Sequence, residues 1–302
     1  MAYDLKNKLV IGVSSRALFD LNKEYKIFVE EGMEAYCEYQ IAHEEDILLP
    51  GPGFSLIKAL LQLNELPGQE GRVEVLLMSR NSTDASLRIF HSIRHYGLAI
   101  TRALLSGGDS LAPYFQAVET DLFLAANEED VQSAIDYGIA AGMVIDGNLH
   151  TYKKDGNMSQ IRIAFDGDAV LFTDESEKLF QKRGLEAFEE NERRQANTPL
   201  PEGPFANFLK TISHIQKEFK GQKAPIRTAL VTSRCAPAHE RVIRTLRAWN
   251  VRVDEAYFLG GISKKEVLKA FDAQIFFDDQ MTHALAASEV VPSARVPYKN
   301  SA

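Results

Sequence analysis

The chain has 302 residues, 45% of them hydrophobic and 25% charged, enough for one large globular domain or two of ordinary size, each with its own core. Thirty-four Lys and Arg against 42 Asp and Glu give a net charge of −8, which argues against a nucleic-acid polymer as partner but leaves room for a small phosphorylated ligand in a local cationic pocket. No apolar run approaches eighteen residues, the N-terminal apolar stretch is too short for a signal peptide, and Cys37 and Cys235 match no metal spacing, so a reduced, cytoplasmic protein with no membrane partner is expected.

In chain order, LVIGV (9–13) reads as a short strand, followed by SSRALFD and a charged, helical excursion over residues 20 to 50. GPGFSLIKALLQL (51–63) is a Gly-Pro turn opening a helix, VEVLLMS (73–79) a second strand, LLSGGDS (104–110) a third strand ending at a glycine pair, and DLFLAAN (121–127) a fourth. The polar run DGNLHTYKKDGNMSQ (146–160) is the natural join. Beyond it the order repeats: IAFDGDAVLFTD (163–174), the excursion 174–201, GPFANFLKTISHI (203–215), IRTALVTSRC (226–235), YFLGGIS (257–263) and QIFFDDQ (274–280). The matched blocks lie 152 to 154 residues apart in the same order, which marks an internal duplication. Short apolar strands alternating with helices predict an α/β fold, parallel sheets flanked by helices. Residues 1–150 form the first half and 157–302 the second, with 174–201 a small helical insertion in the latter.

Ligands of open parallel sheets bind beyond the carboxyl ends of the strands, so the residues just past each apolar run should share a pocket. In the second half these are Asp166 and Asp168, then Thr232, Ser233 and Arg234, then Lys264, then Asp278 and Asp279. Crowded carboxylates are costly to bury unless a cation lies among them, and hard oxygen donors with room for water suit Mg²⁺. Lysine and threonine add partners for phosphoryl oxygens, one carboxylate can attack phosphorus, and another two residues on can move protons. Aligned on the blocks, the first half carries Val13 and Ser15, Met78, Leu111, and Ala125 with Ala126 instead. The acids are thus there for chemistry, since the first half makes a similar unit without them. Arg234 has Arg80 as its apparent counterpart, which favours a structural role common to both halves; Trp249 and His283 read as packing and helix residues, and Cys235 as an unreactive thiol.

FDGDAVLF, LVTSR, GGISK and IFFDDQ resemble the four motifs of the haloacid-dehalogenase-like (HAD-like) phosphohydrolases, and VSSRALF, PGPGF, FDGDAVLFTDESE, FFDDQ and the late VPY resemble, more narrowly, the cytosolic type I 5′-nucleotidases. The resemblance implies a duplicated Rossmannoid fold in which the first half is a degenerate HAD-like unit, residues 174–201 are a cap, and nucleoside 5′-monophosphates, AMP among them, are hydrolysed with Mg²⁺. It also implies Asp166 as nucleophile, Asp168 as general acid/base, Thr232 with Ser233 at the phosphate, and Lys264, rather than its neighbour Lys265, neutralising charge. Asp166, Asp168, Asp278 and Asp279 would serve the metal, and Phe172, Asp174, Glu175 and Arg234 the substrate pocket. Action on another phosphomonoester, phosphotransfer, and a non-catalytic phosphorylatable sensor are the alternatives. A homo-oligomer is compatible with the sequence but not specified by it.

Overall fold

Strands that are apolar on both faces need cover on both sides, and the sequence supplies it by alternating them with amphipathic helices. A computed structural model describes residues 4–147, 160–219 and 223–299, and these fall into two units that divide at residue 140. Of the join 146–160, residues 148–159 lie outside the described residues. No described helix is long and apolar enough to cross a membrane.

The first unit runs β1 (Leu9–Val13), α1 (Ser15–Leu18), α2 (Asn22–Glu31), α3 (Met33–Ala42), α4 (Phe54–Gln62), β2 (Val73–Ser79), α5 (Leu87–His95), β3 (Arg102–Leu105), α6 (Ala112–Ala117), β4 (Leu122–Ala125) and α7 (Glu128–Asp136). Its strands are parallel in the order β3-β2-β1-β4.

The second unit begins with β5 (Ala140–Val144), continues through β6 (Ile161–Phe165), α8 (Glu175–Arg194), α9 (Ala206–Glu218), β7 (Ile226–Thr232), α10 (His239–Ala248), β8 (Glu255–Phe258), α11 (Lys264–Phe271), β9 (Ile275–Asp278) and α12 (Met281–Ser288), and ends at β10 (Ser293–Arg295). The order is β8-β7-β6-β9-β10-β5, parallel except for β5, which runs antiparallel to β10. Thus β5, which precedes the join in sequence, falls in the second unit and pairs there with β10. Phe165 stacks on Phe277 at 5.7 Å, and Phe205 lies 4.6 Å from Phe277, forming an aromatic floor under the tips of β6 and β9.

The two units share strand order and register. Leu9 pairs with Val73 as Ile161 pairs with Ile226, and Ile11 with Leu122 as Ile163 with Ile275. Both Gly-Pro turns also dock alike, with bridges Phe19 to Pro50 and Phe172 to Glu202. A Cβ on Gly51 would lie 2.7 Å from the Phe19 carbonyl carbon, and one on Gly203 2.6 Å from the Val170 oxygen, so only glycine allows these close approaches. The excursions match as well. Gly184 (φ 78°, ψ −177°) breaks α8 where Gly32 (φ 92°, ψ −177°) separates α2 from α3.

The register corrects three of the counterparts read from the aligned blocks: Ser15, which accepts from Phe19 as Gly167 accepts from Phe172, matches Gly167 and not Asp168. Asp166 corresponds to Ser14, not Val13: the Ser14 amide donates to Leu124 as the Asp166 amide donates to Phe277. Thr232 corresponds to Ser79, not Met78, because both end the second strand of their unit. For Asp166 the reason is one extra residue in the second unit; for Thr232 it is the Ser-Arg pair common to both strings, which draws the aligned blocks one residue out of strand register. Phe19 closes its turn on Ser15, four residues back, whereas Phe172 closes on Gly167, five back, in a π turn with Ala169 left-handed at φ 59°. Asp168 lies in that enlarged turn.

Candidate active site

The second unit brings its polar side chains together at one edge because parallel strands all end on the same side. Asp166 follows the last residue of β6, Asp278 ends the adjacent β9, and Lys264 opens α11 just past the glycine pair that follows β8. Asp166, Asp278 and Asp279 are all buried, and one oxygen of each lies within 4.8 Å of the others. The Lys264 ammonium sits among them, 2.9 Å from Asp166 Oδ1 and 2.7 Å from Asp278 Oδ2. Lys265 instead pairs with Glu289 at the surface. The geometry therefore separates the two lysines that the sequence leaves adjacent.

One ammonium cannot neutralise three buried carboxylates. Burial pushes the Asp166 carboxyl well above the ordinary range, against the pull of Lys264 and with the help of Asp278 and Asp279. Asp279 is pushed up to about 6 by burial and by Asp278, although the Tyr298 hydroxyl donates to its Oδ2 at 2.7 Å. Burial would raise Asp278 too, but the His283 ring, Lys264 and the Gln280 amide bring it below its usual value. The surplus of negative oxygen at one spot fits a hard divalent cation, with Asp166, Asp278 and Asp279 as its holders.

Thr232 ends β7, and its hydroxyl oxygen accepts from the Arg234 amide at 3.2 Å. A Cβ on Gly167 would lie 3.2 Å from that oxygen, whereas in the first unit the equivalent Ser15 fills the space and bonds Ser79 at 3.1 Å. Glycine at 167 thus keeps the Thr232 hydroxyl free of a neighbouring side chain. Ser233 is exposed at the strand end.

Asp168 departs from the expected metal set. Its carboxylate is gripped by Arg234, with Nε to Oδ2 and Nη2 to Oδ1 both at 2.7 Å, and is not one of the three clustered acids. Arg234 is buried, and its third nitrogen, Nη1, donates to Glu192 of α8 at 2.6 Å. Burial opposes the arginine's charge, but Asp168 and Glu192 outweigh it and raise its pKa. The structural role shared with Arg80 is not observed, since Arg80 pairs with Glu129 and Asp130 of α7.

The substrate-pocket group separates as well. Phe172 is fully buried and packs on Trp249 at 5.5 Å, so it is a core residue. Asp174 precedes α8 and turns its carboxylate to Lys178 at 2.8 Å rather than to the helix end, while Glu175 is exposed. His283, read as a helix residue, stands 3.6 Å from Asp278 Oδ2, too far for a hydrogen bond but inside the electrostatic environment of the acids. Cys235 is free and exposed. Sequence reading missed Glu192, and it treated Tyr298 only as part of the VPY string; both act through tertiary contacts that no local pattern encodes.

A family profile described as 5′-nucleotidase matches residues 1–302. The chain is similar to human cytosolic 5′-nucleotidase 1B, with 40% identity over 295 residues that cover 94% of this chain and 48% of the relative. It spans about half the length of that curated relative. A solved structure described as a candidate universal stress protein from Pseudomonas aeruginosa shares 11% identity and covers 78% of this chain and 86% of its own, with a TM-score of 0.31, too low to carry an argument.

Proposed function

The chain belongs to the 5′-nucleotidase family, and from that premise we propose that its second unit hydrolyses nucleoside 5′-monophosphates, AMP among them, to nucleoside and phosphate. The observation that carries the reading is the buried acid group of Asp166, Asp278 and Asp279 gathered around Lys264.

In this reading a carboxylate oxygen of Asp166 attacks phosphorus in line, and the bond from phosphorus to the 5′-oxygen breaks as Asp168 gives that oxygen a proton. Asp168 then takes a proton from the water that attacks the aspartyl-phosphate, the bond to Asp166 breaks, and phosphate leaves. Lys264 offsets charge on Asp166 and on the phosphoryl oxygens, and the Thr232 hydroxyl, with Ser233 beside it, holds those oxygens. Asp166, Asp278 and Asp279 would hold Mg²⁺, which would supply further positive charge to the transferring group. The first unit, which keeps the scaffold but carries Ser14, Ser79, Leu111, Ala125 and Ala126 at the matching positions, is proposed as a non-catalytic HAD-like half. α8 is proposed as the cap over the nucleoside, and the cytoplasm as the location.

The test is phosphate release from AMP by the wild type and by Asp166→Asn, with Mg²⁺ and with chelator. Activity that needs Mg²⁺ and falls by about 10⁴-fold or more in the variant supports the reading. Retained turnover in Asp166→Asn rejects Asp166 as nucleophile, and turnover of sugar phosphates but not AMP rejects the substrate class.

A further inference from the structure

The duplication supplies an internal control for the cluster of charges beneath α8. In the first unit, Arg88 of α5 is buried against the helical excursion: Nε donates to the Asp46 carbonyl at 2.8 Å, Nη1 donates to Glu24 at 2.7 Å, and Gln40 Oε1 lies 3.4 Å away. In the second unit, Arg241 of α10 takes the same place: Nε donates to the Thr198 carbonyl at 2.9 Å and Nη1 donates to Glu192 at 2.9 Å. The surroundings match in detail. Ser92 donates to Arg88 and accepts from Leu48, while Thr245 donates to Arg241 and accepts from Leu200.

The difference is where the acid stands. Counted from the paired glycines Gly32 and Gly184, Glu24 matches Ser176 and Gln40 matches Glu192. The first unit places its carboxylate at the earlier position and a neutral amide at the later one. The second unit places its carboxylate at the later position and a hydroxyl at the earlier one, and Ser176 donates to Glu192 at 3.3 Å. Either arrangement neutralises the shared arginine, so packing the excursion does not require an acid at 192. What the acid gains there is reach: its second oxygen accepts from Arg234 Nη1 at 2.6 Å, and Arg234 grips Asp168 with its other two nitrogens. Glu192 and Arg234 are almost entirely shielded from solvent. A buried, doubly bonded guanidinium has little rotational freedom, so the Asp168 carboxylate is held in one place through it.

We propose that Glu192 and Arg234 are positioning residues for the reaction, a buried relay that fixes the Asp168 carboxylate from the helix over the site. The proposal rests on the reading of Asp168 as the acid/base. A misplaced proton donor slows the departure of a poor leaving group such as the nucleoside 5′-oxygen, but not of 2,4-dinitrophenolate, which leaves without a proton.

The test uses Glu192→Gln, the double variant Ser176→Glu with Glu192→Gln, Arg234→Gln and, as reference, Asp168→Asn. The double variant rebuilds the first unit's arrangement around Arg241 while removing the second contact of Arg234. Expected results are a melting temperature that drops in Glu192→Gln and recovers in the double variant. In the double variant and in Arg234→Gln, kcat for AMP stays about 10²-fold low with KM within about threefold of wild type. The first turnover of 2,4-dinitrophenyl phosphate, seen as a burst of dinitrophenolate, keeps its wild-type rate. Recovery of kcat together with melting temperature in the double variant, or wild-type kcat in Arg234→Gln, overturns the relay. Wild-type AMP turnover in Asp168→Asn instead overturns the acid/base reading on which it rests, so the two failures are distinguishable.

Discussion

Replacing Asp279 by Asn should change the stability of the metal-free protein and its activity in opposite directions. The acid group holds oxygens within 4.8 Å of one another. Two unit charges at that separation repel by roughly 3.5 kcal/mol at an effective dielectric constant of about 20. Asp279 faces two such neighbours, and the Lys264 ammonium, already bonded to both of them, returns part of the cost. Its elevation from 3.8 to about 6 corresponds to about 3 kcal/mol of penalty on the charged form. The amide removes that charge and can still accept from Tyr298, so Asp279→Asn in chelator should be about 2–3 kcal/mol more stable, a rise in melting temperature of roughly 5–10 °C.

The pH dependence follows from the sign of the shift. A carboxyl raised in the folded state penalises stability above its folded value and ceases to do so below its unfolded one. The wild type should therefore catch up with the variant as pH falls from 7 through about 6 toward 4. With Mg²⁺ present the order should reverse if Asp279 serves the metal as proposed: added metal should raise the wild-type melting temperature more, and AMP hydrolysis should fall in the variant. Thermal melts with chelator and with Mg²⁺, across pH, decide the matter. A chelated Asp279→Asn no more stable than wild type would refute the claim that these acids repel one another in the metal-free protein.

Phe172→Ala should cost about 3–5 kcal/mol in stability while leaving KM for AMP near wild type, because the ring is core and not pocket; a large KM change without destabilisation would contradict this. Gly203→Ala and Gly51→Ala should each destabilise by about 1–3 kcal/mol, because both turns press glycine on backbone; a neutral result at either would refute the matched docking. Tyr298→Phe removes the donor to Asp279 and should weaken the apparent Mg²⁺ affinity about 10-fold or more, read from the metal concentration that half-restores activity.

Much of this was legible in the sequence because period and punctuation are local. Apolar runs of strand length, the Gly-Pro turns and the glycine pairs mark where chain direction changes, and repeating them once reveals two units of one plan. The strand-tip rule then gathers Asp166, Thr232, Lys264 and Asp278 without knowledge of any distance, since parallel strands deliver their ends to one side. Register was less accessible. Matching blocks by similarity set Val13 against Asp166, because a one-residue expansion of a turn leaves no trace except in which carbonyl an amide reaches, and it set Met78 against Thr232, because the Ser-Arg pairs that follow the strands stand one residue out of strand register.

Side-chain partnership was decided by tertiary structure alone. Asp168 looks like a fourth metal acid in the string DGD, yet the π turn aims its carboxylate at Arg234. Phe172 looks like a rim residue, yet the turn buries it on Trp249. Lys264 and Lys265 are identical in sequence, and helix geometry points them to different neighbours. Composition and periodicity determine which segments become strands and helices, because those preferences are summed over neighbouring residues. Which carboxylate meets which cation depends on directions set by distant segments, and only the folded chain brings them within bonding range.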